Sequence, residues 1–394
     1  MFLHFVSQII PSLIQCFFLC CFLTKGGLVA KRIEWTTLCQ TSVWSIQKIF
    51  LKSIFYFWIA PHRNWRTKMD GDKSPTFARN FLDPLGDMPG PYLDDFFIFL
   101  KDSNKVNKQS NQVSHLSYLN RRGIDYIFTI CARLKMPPDV RFVAALIFDR
   151  YMSVHVQEAH LFINTLDMTA EQKAEQWTKT QCNIIRQLSL RVVTAIQIAS
   201  KDNYYHDSLS NAVTAKILLA VGSPFTPRAI IRSEMRMLRA IDYVLPFSPI
   251  TYIESVLKTL DRYDINLEHP NVIWEHAVLF LDVMFSFLNE IIAQLQTNLA
   301  NITSQTLTSR KIPVKGDWLL IGCSCLTCAI ACVYGFERAD AVSATIGKIT
   351  SISSQDIVDL SVATIHFINN EHQEVGKGCD ECTTGQEFEK RRYD

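Results

Sequence analysis

The feature that most constrains the fold is a long succession of segments with apolar residues at three- and four-residue steps. Such segments follow one another with short connections from about residue 112 to residue 370. This spacing places apolar side chains on one face of an α-helix, whereas a half-buried strand alternates every second residue. The 14 Gly and 14 Pro are also too few for a turn-rich β-architecture. We therefore predict an all-α fold.

The helical series contains the same pattern twice. In residues 112–245, helices are predicted over 115–134, 140–152, 184–200, 213–221 and 226–243. In residues 246–370, helices are predicted over 250–260, 272–299, 318–334, 340–346 and 353–369. The third helix of each series is the most apolar and carries small Ala or Cys residues, which is typical of a helix surrounded by others. The sequence thus predicts two tandem five-helix repeats, with a looser polar and charged connection over 153–181 in which residues 168–177 offer a further helix.

Two helix starts in this series share one local signal. Thr226-Pro227 and Ser248-Pro249 each place a hydroxyl side chain directly before a proline. The hydroxyl accepts a hydrogen bond from a free backbone amide of the first turn, and proline suits the first helical position. We therefore expect a helix to begin at each pair, the second one opening the second repeat.

The N-terminal residues 1–68 differ from the rest in composition. They hold eight Lys or Arg against one acid, Glu34, and an apolar cluster, Phe2–Leu23, long enough to span a bilayer or to serve as a signal sequence. Polar residues interrupt that cluster, and an acidic, proline-containing leader over 69–111, which we predict to be flexible, begins abruptly at Met69. We expect translation to start at Met69, with residues 1–68 contributed by a mispredicted exon and no membrane attachment. The alternative is a membrane-anchored protein that uses Phe2–Leu23.

The C-terminal residues 371–394 lack periodicity and are predicted to be a disordered tail. Cys379 and Cys382 have the spacing of half a zinc knuckle, but no second Cys or His pair lies at a suitable distance. Because structural zinc needs four ligands, we expect no metal site. Most of the other cysteines fall in apolar runs, which is typical of free thiols in a reducing compartment, the nucleus or the cytosol.

No motif in the chain indicates catalysis. A phosphate-binding glycine loop, a His-Glu-x-x-His zinc helix, a nucleophile elbow and the kinase signatures are all absent from the sequence. The formal net charge of +2, without a basic run, gives no expectation of direct nucleic-acid binding. We therefore predict a non-catalytic recognition scaffold that needs no cofactor.

Three segments resemble the cyclin box, the helical repeat of the cyclin superfamily. Residues 194–201 read Thr-Ala-Ile-Gln-Ile-Ala-Ser-Lys and are similar to its central helix. Residues 234–249 are similar to its fifth helix and the turn into a second box, and residues 141–152 to its second helix. The resemblance implies an N-terminal cyclin box over 112–245, a C-terminal cyclin-like box over 246–370, and a regulatory protein without catalysis.

The resemblance also gives two polar residues a role that periodicity does not. Lys201 ends the central helix and Glu234 lies in the fifth helix, where a helix-dipole contact and a solvated position are the ordinary explanations. Cyclins carry a Lys and a Glu at the matching positions, and these contact a cyclin-dependent kinase. The resemblance therefore implies that Lys201 and Glu234 bind the kinase. Residues 121–125, Arg-Arg-Gly-Ile-Asp, keep only part of the cyclin substrate-docking patch.

Within the superfamily, residues 190–201 and 252–257 are most similar to a branch of meiotic crossover proteins of animals. This implies a nuclear protein of meiotic chromosomes that acts with a cyclin-dependent kinase, and with recombination proteins, in crossover formation. Two alternatives stay open. One is a kinase-independent adaptor that binds recombination or replication proteins on the same fold, and the other is a general cell-cycle cyclin.

Overall fold

The computed structural model describes residues 90–109, 118–203, 208–263, 265, 267–303 and 312–380. Over these ranges the chain forms twelve α-helices and no strand, so the predicted all-α fold is confirmed. The helices are α1 (Gly90–Gln109), α2 (Arg121–Arg133), α3 (Pro138–Thr165), α4 (Ala170–Arg186), α5 (Leu188–Asn203), α6 (Asn211–Ala220), α7 (Pro227–Ala240), α8 (Pro249–Asp261), α9 (Pro270–Thr303), α10 (Trp318–Tyr334), α11 (Phe336–Thr350) and α12 (Ser354–Asp380). The expectations for residues 1–68 and for the start at Met69 concern residues outside these ranges.

Both predicted repeats are present, each around a central helix. In the first repeat α5 packs against α2, α3, α4, α6 and α7, and its residues from Leu190 to Ser200 are all buried. In the second repeat α10 packs against α8, α9, α11 and α12, and it is buried from Trp318 to Ala331. A helix with neighbours on every side has no solvated face, which is why residues 190–200 contain one charged residue, Arg191, and residues 318–331 contain none.

The connection over 153–181 is mostly helical and not loose as predicted, and the further helix offered by residues 168–177 is present as α4 with different bounds. Helix α3 continues through Met152 to Thr165, since neither Gly nor Pro interrupts the chain after Pro138. Helix α4 then starts with a capping box: the Thr169 hydroxyl accepts from the Gln172 amide at 3.3 Å, and the Gln172 side chain accepts from the Thr169 amide at 3.1 Å. The first repeat therefore contains one helix more than five.

The predicted flexible leader over 69–111 is also wrong for residues 90–109, which form α1. This helix packs against α8 and α10 of the second repeat. Leu93, Phe97, Leu100 and Asn104 are buried along one face, at steps of four, three and four residues. The acids and prolines before residue 90 obscured this stripe in the sequence. The part of the leader before residue 90 lies outside the described residues.

Asn104 fastens α1 to the start of α10. Its side-chain amide donates to Asp317 Oδ1 at 2.8 Å, and its side-chain oxygen accepts from the Leu319 amide at 3.3 Å. Asn104→Ala should lower the free energy of unfolding by about 1–2 kcal/mol, because Asp317 and the Leu319 amide each lose a hydrogen-bond partner in a buried place. Urea denaturation followed by circular dichroism measures this loss. Lys105→Ala, which removes an exposed side chain from the same helix, should cause no comparable loss.

The predicted disordered tail over 371–394 starts too early. The backbone of α12 is helical to Asp380, beyond the buried Phe367, and no proline interrupts residues 368–380. Residues 381–394, with Cys382, lie outside the described residues.

A cluster of aromatic rings joins the two repeats. Phe285 of α9 lies 4.9 Å from Phe142, 6.2 Å from Phe128 and 5.1 Å from Trp318, as measured between ring centroids. Phe128 and Phe142 belong to the first repeat, and Trp318 to the second. One hydrophobic core therefore extends through both repeats and holds them in a single arrangement.

Among the described residues, one helix is long and apolar enough to cross a membrane, the stretch Pro270–Ala300 of α9. This helix packs against α8, α10 and α12 and against α2 of the first repeat. Its residues Leu281, Phe285, Leu288 and Ile291 are buried in the common core. Packing inside the protein therefore accounts for its apolar composition.

Candidate functional site

The structure brings the two predicted site residues together on the surface of the first repeat. Lys201 Nζ donates a hydrogen bond to Glu234 Oε1 at 2.5 Å, although the residues are 33 positions apart. The Lys201 side chain is 38% exposed and the Glu234 side chain 14% exposed. The pair therefore lies at the edge between helices α5 and α7, where part of each charged group faces solvent.

The local sequence explains where these two side chains lie. Lys201 follows the fully buried turn of α5 that ends at Ser200, so it is the first charged residue after the apolar part of that helix. Helix α7 starts at Pro227. Thr226 caps this start, because its hydroxyl accepts a hydrogen bond from the Ala229 amide at 3.3 Å. Glu234 lies two turns into α7, at the border of its buried face.

A buried polar network sets the rotation of α7 against α5. Arg191 donates to the Ser233 hydroxyl at 2.8 Å, and the Thr194 and Ser233 hydroxyls share a hydrogen bond at 2.9 Å. Ser233 is buried and directly precedes Glu234, so fixing Ser233 against α5 turns Glu234 towards Lys201. Such a network tolerates few other arrangements, because each of its polar groups would lose its partner on rotation.

Apolar side chains accompany the ion pair on α7. Ile231 lies three residues before Glu234 and Leu238 four residues after it, so both lie on the same side of the helix. Ile231 is 47% exposed, and Leu238 is half-buried. The surface thus combines two opposite charges with apolar contact area, the combination that fixes the register of a bound helix or strand.

Comparison with known families matches residues 97–246 to the cyclin N-terminal domain. Over these residues the chain is similar to that domain. The match covers α1 in part and the whole first repeat, and it ends where the second helical series begins. Lys201, Glu234 and the helices that position them all lie inside it.

Two curated relatives are similar over more of the chain. Cyclin N-terminal domain-containing protein 1 of Mus musculus is 22% identical over 253 residues, which is 63% of this chain and 75% of the mouse protein. Cyclin N-terminal domain-containing protein 1 of Homo sapiens is 22% identical over 303 residues, 75% of this chain and 90% of the human protein. The predicted resemblance to the cyclin superfamily is therefore confirmed.

The start of α2 differs from the substrate-docking patch expected of a cyclin domain. The Arg121 guanidinium lies over the Phe287 ring of the second repeat, 4.1 Å from its centroid. A side chain at Gly123 would bring its Cβ within 3.0 Å of Leu119 Cδ2, so this position has no room for an apolar residue without a shift. Burial raises the pKa of the Asp125 carboxyl, against the lowering effect of Arg121. This region contributes to the contact between repeats and presents a carboxyl group beside it.

In the part of the chain that the structure describes, no three His, Cys, Asp or Glu residues lie close enough together to hold a metal ion. The cysteines Cys131, Cys323, Cys325 and Cys328 are buried as free thiols. Burial raises the pKa of Cys131 to about 12 and the pKa of the other three thiols as well. These groups stay protonated at neutral pH and act as small core side chains.

Sequence reasoning missed the network of Arg191, Thr194 and Ser233. The available signal was an arginine in the middle of the most apolar helix of the first repeat, since a buried charge needs a partner on a neighbouring helix. Tyr204 and Tyr205, three and four residues after Lys201, lie outside the described residues.

Proposed function

We propose that this protein is a non-catalytic regulatory subunit that binds a cyclin-dependent kinase through the surface around Lys201 and Glu234. A cyclin-like regulator is what the matched domain and the similarity to cyclin N-terminal domain-containing protein 1 support. The observation that carries the finer proposal is the Lys201–Glu234 ion pair between α5 and α7, partly exposed beside apolar residues.

The geometry of the pair suits docking. Each group uses one hydrogen bond within the pair, so the second carboxylate oxygen of Glu234 and the remaining ammonium hydrogens of Lys201 can serve a partner. Opposite charges held at a fixed spacing select one register of a docking helix, while Ile231 and Leu238 add apolar contact. A kinase whose regulatory element carries complementary charges fits this surface.

We further infer a role in meiotic crossover formation in the nucleus. Support comes from the resemblance of residues 190–201 and 252–257 to meiotic crossover proteins, and from the similarity to cyclin N-terminal domain-containing protein 1 of mouse and human. Recombination proteins at designated crossover sites are the further partners in this proposal.

Charge reversal tests the docking proposal. The single variants Lys201→Glu and Glu234→Lys, and the swapped variant that combines them, should all lose co-purification with the kinase from meiotic tissue. The swapped variant is the informative one, because it keeps an internal ion pair while it presents both charges to a partner in reversed positions. Far-UV circular dichroism and thermal unfolding should show that its helical fold is retained.

The matched control reverses two exposed charges of α11 in the second repeat, Lys348→Glu with Glu337→Lys. This control should co-purify with the kinase as the unchanged protein does. Kinase recovery by the swapped variant at the level of the control would rule out docking through Lys201 and Glu234.

The start of α2 favours a second candidate, a kinase-independent adaptor for recombination or replication proteins. The polar Asp125 and the packed Gly123 make this region a poor apolar groove for kinase substrates. The adaptor predicts that the swapped variant restores crossover numbers in a null background. The kinase proposal predicts that it leaves them at the level of the null background.

A further inference from the structure

A cleft of about 760 Å³ lies between α3 and α7, away from the ion pair. Its lining is formed by Tyr151, His155, Glu158, Ile231, Arg232, Met235, Arg236, Arg239 and Ala240. At about 100° per residue, Arg236 lies about 200° around α7 from Glu234. The arginines therefore face the opposite side of the helix from the proposed kinase-binding pair.

The cleft carries an excess of positive charge. Arg232, Arg236 and Arg239 are spaced by four and three residues, which places their side chains in one row along the exposed face of α7. Glu158 is the one acid among the residues that line the cleft. None of the three arginines takes part in an ion pair with another described residue. Their guanidinium groups therefore remain available to an anion.

The floor of the cleft adds a buried hydroxyl donor. Tyr151 is fully buried, with the His155 ring stacked 5.3 Å away and the Arg191 guanidinium 5.4 Å from its ring. The Tyr151 hydroxyl has no hydrogen-bond partner among the described residues. Burial, and after it Arg191 and Arg236, lower the pKa of His155, while Glu158 raises it. An anion in the cleft would offset the charge of Arg236 and its neighbouring arginines.

The chemistry of the lining selects the kind of anion. Guanidinium groups form paired hydrogen bonds with phosphate, and a phosphate dianion matches the excess of arginines over Glu158 better than a single carboxylate does. Met235, 39% exposed, offers apolar contact beside the arginines, as does Ile231, a residue that the cleft shares with the proposed kinase-binding surface. Nucleic acid would need a longer basic track than this one row of arginines. We propose that the cleft between α3 and α7 binds a phosphorylated serine or threonine within a peptide segment of a partner protein.

The test uses the full chain and an oriented library of labelled peptides with degenerate residues around a fixed phosphothreonine. Fluorescence anisotropy should show binding of this library and at least about tenfold weaker binding of the same library with threonine. Arg236→Ala with Arg239→Ala should weaken binding of the phosphothreonine library by about tenfold or more, because two cationic hydrogen-bond donors are lost. Arg228→Ala, an exposed arginine of the same helix outside the cleft, should leave it unchanged.

Several results would overturn the proposal: no binding of the phosphothreonine library, equal binding of both libraries, or an equal affinity for the double-alanine variant. A single-stranded RNA oligonucleotide that binds more tightly than the phosphothreonine library, and needs the same two arginines, would assign the cleft to nucleic acid instead. The swapped Lys201 and Glu234 variant should bind the phosphothreonine library normally. Failure of kinase docking and failure of phosphopeptide binding are thus distinguishable.

Discussion

Phe285→Ala should lower the free energy of unfolding by about 3–5 kcal/mol, because it removes a large ring from a close-packed core. The Phe285 side chain is 1% exposed and contacts rings of both repeats. The cavity would lie between Phe142 of the first repeat and Trp318 of the second. Because each of these rings is also held by its own repeat, neither can move far enough to close the cavity. We therefore expect the cost to fall near the upper end of this range.

Urea denaturation followed by circular dichroism checks the expected loss, and Phe162→Ala is its matched control. Phe162 lies on α3 and is 64% exposed, so its removal should change the free energy of unfolding by less than about 0.5 kcal/mol. Phe285→Leu should recover part of the loss because it refills part of the cavity. If Phe285→Ala cost no more than Phe162→Ala, the two repeats would not share this core.

Local signals predicted the elements that depend on neighbours in sequence. The Ser248 hydroxyl accepts a hydrogen bond from the Ile250 amide at 3.3 Å, and α8 begins at Pro249, as the Ser-Pro pair indicates. Helix α10 has the bounds expected from its apolar run, Trp318–Tyr334. Caps and apolar runs act within a few residues, so the sequence alone shows them.

Contacts between distant segments were not accessible in the same way. The stripe on α1 faces α8 and α10, which lie 140 or more residues further along the chain, and nothing near α1 indicates these partners. The rotation that pairs Lys201 with Glu234 depends on Ser233 fitting against α5. Periodicity placed both residues on helices, and the resemblance to cyclins assigned both to kinase binding, but neither predicted that they pair. Which side chains of two helices meet is determined by how the helices pack, and that packing depends on contacts along the whole interface.

The second large effect concerns an ion pair between the repeats. Arg141 of α3 donates to both carboxylate oxygens of Asp282 of α9, each at 2.8 Å, and its guanidinium lies over the rings of Phe128 and Phe142. Arg141→Ala should lower the free energy of unfolding by about 3 kcal/mol near neutral pH, because Asp282 loses its partner while it stays mostly buried. Lys179→Ala, which breaks the exposed pair with Glu175, should leave stability unchanged within error.

The loss in Arg141→Ala should shrink as the pH falls. Burial raises the pKa of Asp282 even with Arg141 present, and removing this cation should raise it further. A carboxyl whose pKa is higher in the folded state binds its proton more tightly there, so folding gains stability below that pKa and loses it above. The urea midpoints of Arg141→Ala and of the unchanged protein should be compared near neutral pH and at about pH 5. The difference between the two midpoints should be smaller at the lower pH.

Arg141→Met with Asp282→Leu should lose both the pH dependence and most of the destabilisation, since an apolar pair needs no counter-charge. A deficit that is the same at both pH values would mean that packing of the Arg141 side chain, and not the stranded carboxylate, is responsible.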